Sequence, residues 1–369
     1  MKDADFEAAR LTVRLGAIVA NYKTVQRLAG PAGVAAVVKA DAYGLGAGVI
    51  APMLAGARCD TFFVARLEEG IALRKVLPDA RIFILDGAPP DSVPALIEHR
   101  LTPVLNSLAE IAGWGAAAHQ TRQILDAAIH IDTGMNRLGL PGYELATLAA
   151  EARKRLAFVR VVLWMSHLAC ADDAGSAMNA TQLERFRMAL AMLPPAPASL
   201  ANSAGVLLGK NYSFDLVRPG IALYGANPQN KGENPFAVTA VLTAQILQLR
   251  RIDKGEGVGY GATLRTKRPT MLATLGLGYA DGVLRAASGK GFAVLAGQRV
   301  PIAGRVSMDL TILDVTDIAP DALRLGAEVE FFGDTISLDE AARAAGTVPY
   351  EILTSMRGRV PHHYTESAT

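Results

Sequence analysis

Between Val34 and Tyr224 one pattern recurs and limits what this chain can fold into. Short apolar runs alternate with helix-like or polar segments: VAAVVK (34–39), TFFVA (61–65), RIFIL (81–85), LTPVL (101–105), DAAIHI (126–131), VRVVLW (159–164), ASLAN (198–202) and DLVRPGIALYG (215–225). Continuous β-branched runs without polar alternation are what parallel strands covered on both faces require. The segments between them, such as QLERFRMALAML (182–193), carry apolar residues at helical spacing. Eight strand-helix units predict a (β/α)8 barrel, with a doubly wound open sheet as the alternative.

The pattern changes after Tyr224. NPQNKGENP (227–235) has linker composition, and beyond it VTAVLTAQILQL (238–249), TMLATLGLGY (270–279), GFAVLAGQRVPIAG (291–304), LTILDV (310–315) and AEVEFFG (327–333) are β-rich with frequent glycine. One helix pattern, SLDEAARAAG (337–346), interrupts them. The expected division is therefore a barrel over residues 1–230 and a C-terminal, mainly antiparallel β domain over 231–369.

Composition narrows the partners. The 369 residues carry a net charge of +2, so no cationic field for nucleic acid exists. Cys59 and Cys170 lack any ligand or disulfide spacing, which predicts no metal site and a reducing compartment, the cytoplasm. The opening MKDADFEAARLTVRLG shows no export signal. The uncharged stretch Met188–Gly209 contains Pro194, Pro195 and Pro197, so it reads as helix end, loop and strand, and no membrane contact is expected.

A barrel of this kind builds its active site at the C-terminal strand ends. The first run ends at Lys39, followed by Tyr43 and by Gly44, Gly46 and Gly48, which permit close backbone approach to a ligand. A partly desolvated lysine there can serve as a Schiff-base amine or a base, although most lysines at strand ends are merely solvated. Ser203 and Arg218-Pro219-Gly220-Ile221 follow the seventh and eighth runs, where such barrels hold a phosphate. A lysine at strand one opposite a phosphate cradle at strands seven and eight suits pyridoxal 5′-phosphate. Arg137 and His167 follow strands five and six at the same mouth.

Nine motifs in order, AVVKADAYGLGA, DTGMNRLG, HLACAD, ANSAG, RPGIALYG, GVGYGATL, GLGYADG, GRVSMD and PYEIL, resemble the alanine racemases, pyridoxal phosphate enzymes of fold type III. The resemblance spans nearly the whole chain. It implies interconversion of L- and D-alanine, and a head-to-tail homodimer in which the β domain of one subunit completes the active site of the other. Both supply of D-alanine for peptidoglycan precursors and catabolism of L-alanine stay open.

Carried over residue by residue, the resemblance makes Lys39 the cofactor-bound lysine and one base, and Tyr260, from the partner subunit, the second base. Inversion needs two, because a proton taken from one face of Cα must return to the other. An ordinary tyrosine has a pKa of about 10, so Tyr260 needs nearby positive charge or donors. Arg218 would face the pyridine nitrogen, oriented by His167. Tyr43, Ser203, Tyr350 and the backbone of Gly220 and Ile221 would hold the phosphate. Arg137 and the partner's Met308 backbone, with Asp309 beside it, would take the substrate carboxylate. One position departs from the pattern. Many members carry a carbamylated lysine two residues before the DTGM motif, supporting the arginine, and here His130 stands there. An amino-acid decarboxylase on the same architecture would need a carboxylate at the pyridine nitrogen. A non-catalytic cofactor carrier or a cofactor-free aldolase would leave the C-terminal domain unexplained.

Overall fold

The computed structural model describes residues 7–229, 231–356 and 358–367. Asn230, at the expected domain division, and residues 1–6 of the stretch bearing on export lie outside these.

Each of the eight runs forms a strand. Seven lie in one parallel sheet in sequence order, from Ala36–Val37 through Thr61–Val64, Arg81–Ile84, Thr102–Leu105, Leu125–His130 and Val159–Met165 to Ala198–Ser199. The eighth, Leu216–Val217, pairs in parallel with Gly33–Val34, the continuation of the first strand. Bonds from Asp215 N to Ala198 O (3.0 Å) and from Arg218 N to Ala201 O (2.9 Å) join it to the seventh. The sheet thus closes into a barrel, and the open-sheet alternative falls away. Closure also makes strands one and eight neighbours, so the expected phosphate cradle lies alongside Lys39's strand instead of opposite it.

Helices cover the strands as their apolar spacing predicts. Ala177–Met192, for example, buries Leu183, Phe186 and Ala189. Leu15–Ala29, which precedes the first strand, occupies the place beside the short helical turn Ile221–Tyr224. Its buried Asn21 donates to Leu223 O and Ala237 O and accepts from Ala237 N, fixing the crossing between the two halves.

The second half is a largely antiparallel sheet built around Ala240–Ile252. One of its strands comes from the other end of the chain. Ala9–Arg14 pairs antiparallel with Ala240–Ala244 and parallel with His362–Thr365. Its alternating burial marks a sheet strand with one covered face, so a cut at residue 230 does not separate the two sheets cleanly. Beyond the expected helix at Leu338–Ala345 a second, Pro349–Ser355, forms from the PYEIL segment with proline in its first turn. Among the described residues no helix is long and apolar enough to cross a membrane, and no cluster of side chains could hold a metal ion.

Candidate active site

Lys39 stands at the end of the first strand, and the chain turns directly after it. Ala40, Asp41, Ala42 and Tyr43 all have left-handed backbone (φ 51, 56, 53 and 59°). For residues with a Cβ such a turn costs roughly 1–2 kcal/mol each, so the surroundings must hold it. Glu69 Oε1 accepts from Ala40 N (2.6 Å), while Glu69 Oε2 accepts from Ala65 N (2.8 Å) and Arg66 N (3.1 Å). One carboxylate therefore clamps the chain after strands one and two. Asp41 Oδ1 accepts from Ala47 N (2.7 Å).

Two of the nearby glycines, Gly44 and Gly46, serve the C-terminal segment, which corrects the expectation that they admit a ligand. A Cβ on Gly44 would lie 2.5 Å from Leu353 O, one on Gly46 would lie 2.1 Å from the Tyr364 hydroxyl, and one on Gly48 would meet nothing. This packing seats Pro349–Ser355 on the turn and brings the Tyr350 ring to 5.9 Å from that of Tyr43.

A cavity of about 460 Å³ opens at the strand ends, lined by Lys39, Tyr43, His130, Arg137, His167, Ser203, Arg218, Gly220, Ile221 and Tyr350, with Phe63 and Asp86 among its other walls. Burial, then the Arg137 charge, lowers the Lys39 ammonium pKa. Burial raises the Tyr43 phenol, and it pushes Tyr350 up to about 12, so both stay protonated donors at neutral pH.

Arg218 is buried, which pulls its guanidinium down to about 9 and leaves it charged at neutral pH. Its Nη1 donates to Ser199 Oγ, and its Nη2 donates to Ser166 O (2.6 Å) and weakly to Leu200 O (3.5 Å). Ser199 in turn donates to Leu216 O on the neighbouring strand (2.5 Å). Both terminal nitrogens are thus committed to protein, and Nε is the one left without an acceptor among the described residues. The expected bond from His167 to Arg218 is absent. His167 Nε2 instead pairs with Asn202 Nδ2 (3.4 Å), whose Oδ1 is occupied by Gly205 N (2.9 Å). Burial, then the Arg218 charge, holds His167 well below the usual histidine range, hence neutral. Ser199 and Ser166 do the orienting that the sequence reading gave to His167.

Ser203 Oγ accepts from Gly220 N (2.8 Å) and Ala222 N (3.2 Å), so the loops after strands seven and eight are already joined. A Cβ at Gly220 would lie 2.2 Å from the Tyr43 hydroxyl, so only glycine lets that hydroxyl reach this backbone. Across the mouth, Asp132 Oδ1 accepts from Gly134 N, Met135 N and Asn136 N (2.9, 2.9 and 3.1 Å), which folds the DTGM loop and carries Arg137 to the cavity. Gln182 ties this loop to the next by donating to Thr133 Oγ1 (3.1 Å) and His167 O (2.9 Å).

Tyr260, Met308 and Asp309 do not line this cavity. They lie on the C-terminal domain, where Tyr260 is 71% and Met308 52% exposed and Asp309 pairs with Arg359 (2.8 Å). Tyr279 and Leu310 are exposed beside Met308, with Tyr279 N bonded to Ser307 O and Ser307 N to Leu310 O. The Arg305 guanidinium lies against Gly261, next to Tyr260. Glu69, Ser199 and Ser166 are site-shaping residues that the motifs did not reveal, since none differs in type from an ordinary loop or cap residue.

Comparison with known proteins agrees with this geometry. The N-terminal domain model of alanine racemase matches residues 13–228, and its C-terminal domain model matches 239–364. An alanine racemase of Methylobacterium nodulans is 48% identical over 361 residues, 98% of this chain and 97% of that protein. The crystal structure of alanine racemase from Bartonella henselae with covalently bound pyridoxal phosphate superposes with a TM-score of 0.94 at 41% identity, covering 97% of this chain and 99% of the other. The biosynthetic alanine racemase of Pseudomonas aeruginosa gives 0.91 at 36% identity, covering 98% and 100%. From the strand-end constellation to the full-length similarity, the chain belongs to the alanine racemase family.

Proposed function

We propose that this chain interconverts L- and D-alanine with pyridoxal phosphate, using Lys39 of one subunit and Tyr260 of its partner as the two bases. The observation that carries the reading is the single cavity that gathers a lysine of lowered pKa, a buried donor-only guanidinium and a hydroxyl-and-amide cradle.

The residues fit the cofactor. Ser203, the protonated phenols of Tyr43 and Tyr350 and the N–H groups of Gly220 and Ile221 supply phosphate donors. Gly220 N is shared with Ser203 Oγ, so hydroxyl and amide act as one donor unit. Pyridoxal phosphate, when bound to the amino acid, draws electrons from Cα and makes its hydrogen acidic. Arg218 offers Nε and cannot accept, so it would leave a pyridine nitrogen held against it unprotonated and moderate that electron withdrawal. Arg137 binds the substrate carboxylate. Lys39, with its lowered pKa, takes the Cα proton on one face, and the Tyr260 hydroxyl returns one on the other, with roles reversed for the opposite enantiomer.

A single chain leaves one face of the cavity without its second base, which supports the homodimer. The exposed Tyr260, Tyr279, Met308 and Leu310 form the surface that would cover the partner's mouth, bringing the Met308 backbone and Asp309 to the carboxylate. Because the enantiomers are equal in free energy, the site runs in both directions and suits either D-alanine supply for peptidoglycan precursors or L-alanine breakdown. Two unpaired cysteines suit a reducing cytoplasm.

Circular dichroism of L-alanine and D-alanine solutions, followed separately with the cofactor-loaded protein, tests the reading. Both signals should decay to zero at comparable rates. Persistence of either signal would overturn it.

A further inference from the structure

His130 is 7% exposed, and its ring forms part of the cavity wall beside Arg137. Its protonation pattern follows from its neighbours. Asn106 Nδ2 donates to Val104 O (2.8 Å) and Leu85 O (3.3 Å), so the amide is fixed with Oδ1 outward. Oδ1 lies 3.0 Å from His130 Nδ1 and can only accept, so Nδ1 carries the hydrogen. The other nitrogen, Nε2, is left as a lone-pair acceptor with no partner among the described residues. Glu110 reinforces the arrangement by accepting from Asn106 N (3.0 Å) and Ala88 N (3.4 Å).

The same ring backs the loop that carries Arg137. Leu140 N donates to His130 O (2.8 Å), and a Cβ on Gly139 would lie 3.0 Å from His130 Cγ. Arg137 is exposed, and no acceptor among the described residues fixes its guanidinium. An unpinned arginine of this kind loses side-chain entropy each time it binds an anion.

We propose that His130 is a positioning residue whose Nε2, aimed into the cavity by Asn106, accepts one N–H of Arg137 and so presents the remaining guanidinium donors to the substrate carboxylate. A neutral acceptor does this without cancelling the arginine's charge, which stays available to the carboxylate. Burial, then the Arg218 charge, lowers His130 to about 4, consistent with a neutral ring at working pH.

The inference rests on Arg137 as the carboxylate anchor, and the test separates the two. His130→Asn keeps an amide at the Nδ1 position but cannot reach the cavity, while His130→Gln places an amide oxygen near Nε2. KM for L-alanine and the inhibition constant of acetate, a bare carboxylate, are measured for the cofactor-loaded variants alone and in an Arg137→Ala background. His130→Asn should raise both constants about tenfold, the worth of one charge-assisted hydrogen bond, with His130→Gln recovering most of the loss. In the Arg137→Ala background His130→Asn should add nothing. An equal loss in that background, or equal behaviour of the Asn and Gln variants, would overturn the positioning role alone. An unchanged acetate constant in Arg137→Ala itself would remove the carboxylate anchor and the inference with it.

Discussion

Gly220→Ala is a small change aimed at the packing that would form the phosphate cradle. The Gly220 backbone (φ −120°, ψ −85°) lies outside the left-handed region, so the substitution acts mainly through its Cβ. That Cβ would sit 2.2 Å from the Tyr43 hydroxyl and 2.8 Å from the ring carbon bearing it. The hydroxyl must retreat by roughly 1.2 Å to restore ordinary contact. Tyr43 has little room to comply, because its ring lies 4.8 Å from that of Tyr224 and its backbone belongs to the left-handed turn. Overpacking of this kind costs about 1–3 kcal/mol, and a hydrogen bond to a charged phosphate is worth about 1.5–3 kcal/mol. Pyridoxal phosphate should therefore bind roughly 10- to 100-fold more weakly. The assay is an absorbance titration of the cofactor-free protein, with Gly48→Ala as control, since a Cβ there meets nothing in a helix. In a Tyr43→Phe background the Gly220→Ala penalty should shrink, leaving the contact with the ring carbon. Wild-type affinity in Gly220→Ala, or an equal loss in Gly48→Ala, would refute the reasoning.

Three further outcomes follow from the site. Lys39→Ala and Lys39→Arg should both lose the absorbance of covalently held cofactor and all racemisation, because neither side chain offers the primary amine; activity retained in either would move the role to another lysine. Glu69→Gln replaces the carboxylate that accepts three backbone N–H groups, so chemical denaturation should show a loss of about 1–2 kcal/mol, with slower turnover as the turn after Lys39 loosens. His130 and His167 are held neutral in the folded chain, below the ordinary histidine value of about 6.5, so the unfolded chain binds protons first as pH falls. Stability should drop from pH 6.5 downward, His130 contributing about 3 kcal/mol by pH 4, and His130→Phe should flatten the dependence of melting temperature on pH over that window.

The barrel was legible because a parallel strand covered on both faces must be apolar at every position, so each strand announced itself in a few residues. Ala9–Arg14 gave no such signal. Its neighbours in the sheet begin at Ala240 and His362, far along the chain, and only tertiary pairing makes it a strand. Pro349–Ser355 is seven residues long, too short for helical periodicity to emerge. The left-handed turn of Ala40–Tyr43 was hidden for a different reason: none of its residues is glycine, and its conformation is imposed by Glu69 and the packed C-terminal helix. Motifs placed Arg218 and His167 at one mouth, but which acceptors the guanidinium chose depended on Ser199 and Ser166, two serines with nothing in their spacing to mark them. Such second partners are set by geometry across strands, where sequence distance carries no information.

The central claim is that each active site draws Lys39 from one chain and Tyr260 from the other, and mixing two inactive variants tests it most directly. Lys39→Ala and Tyr260→Phe proteins are combined and allowed to exchange subunits, with exchange verified by native mass spectrometry. Each heterodimer then holds one site with both bases and one with neither. A statistical mixture is about half heterodimer, so activity should recover to roughly a quarter of wild type per site if sites are independent. Verified exchange with no recovery would mean that both bases come from a single chain, contradicting the shared site.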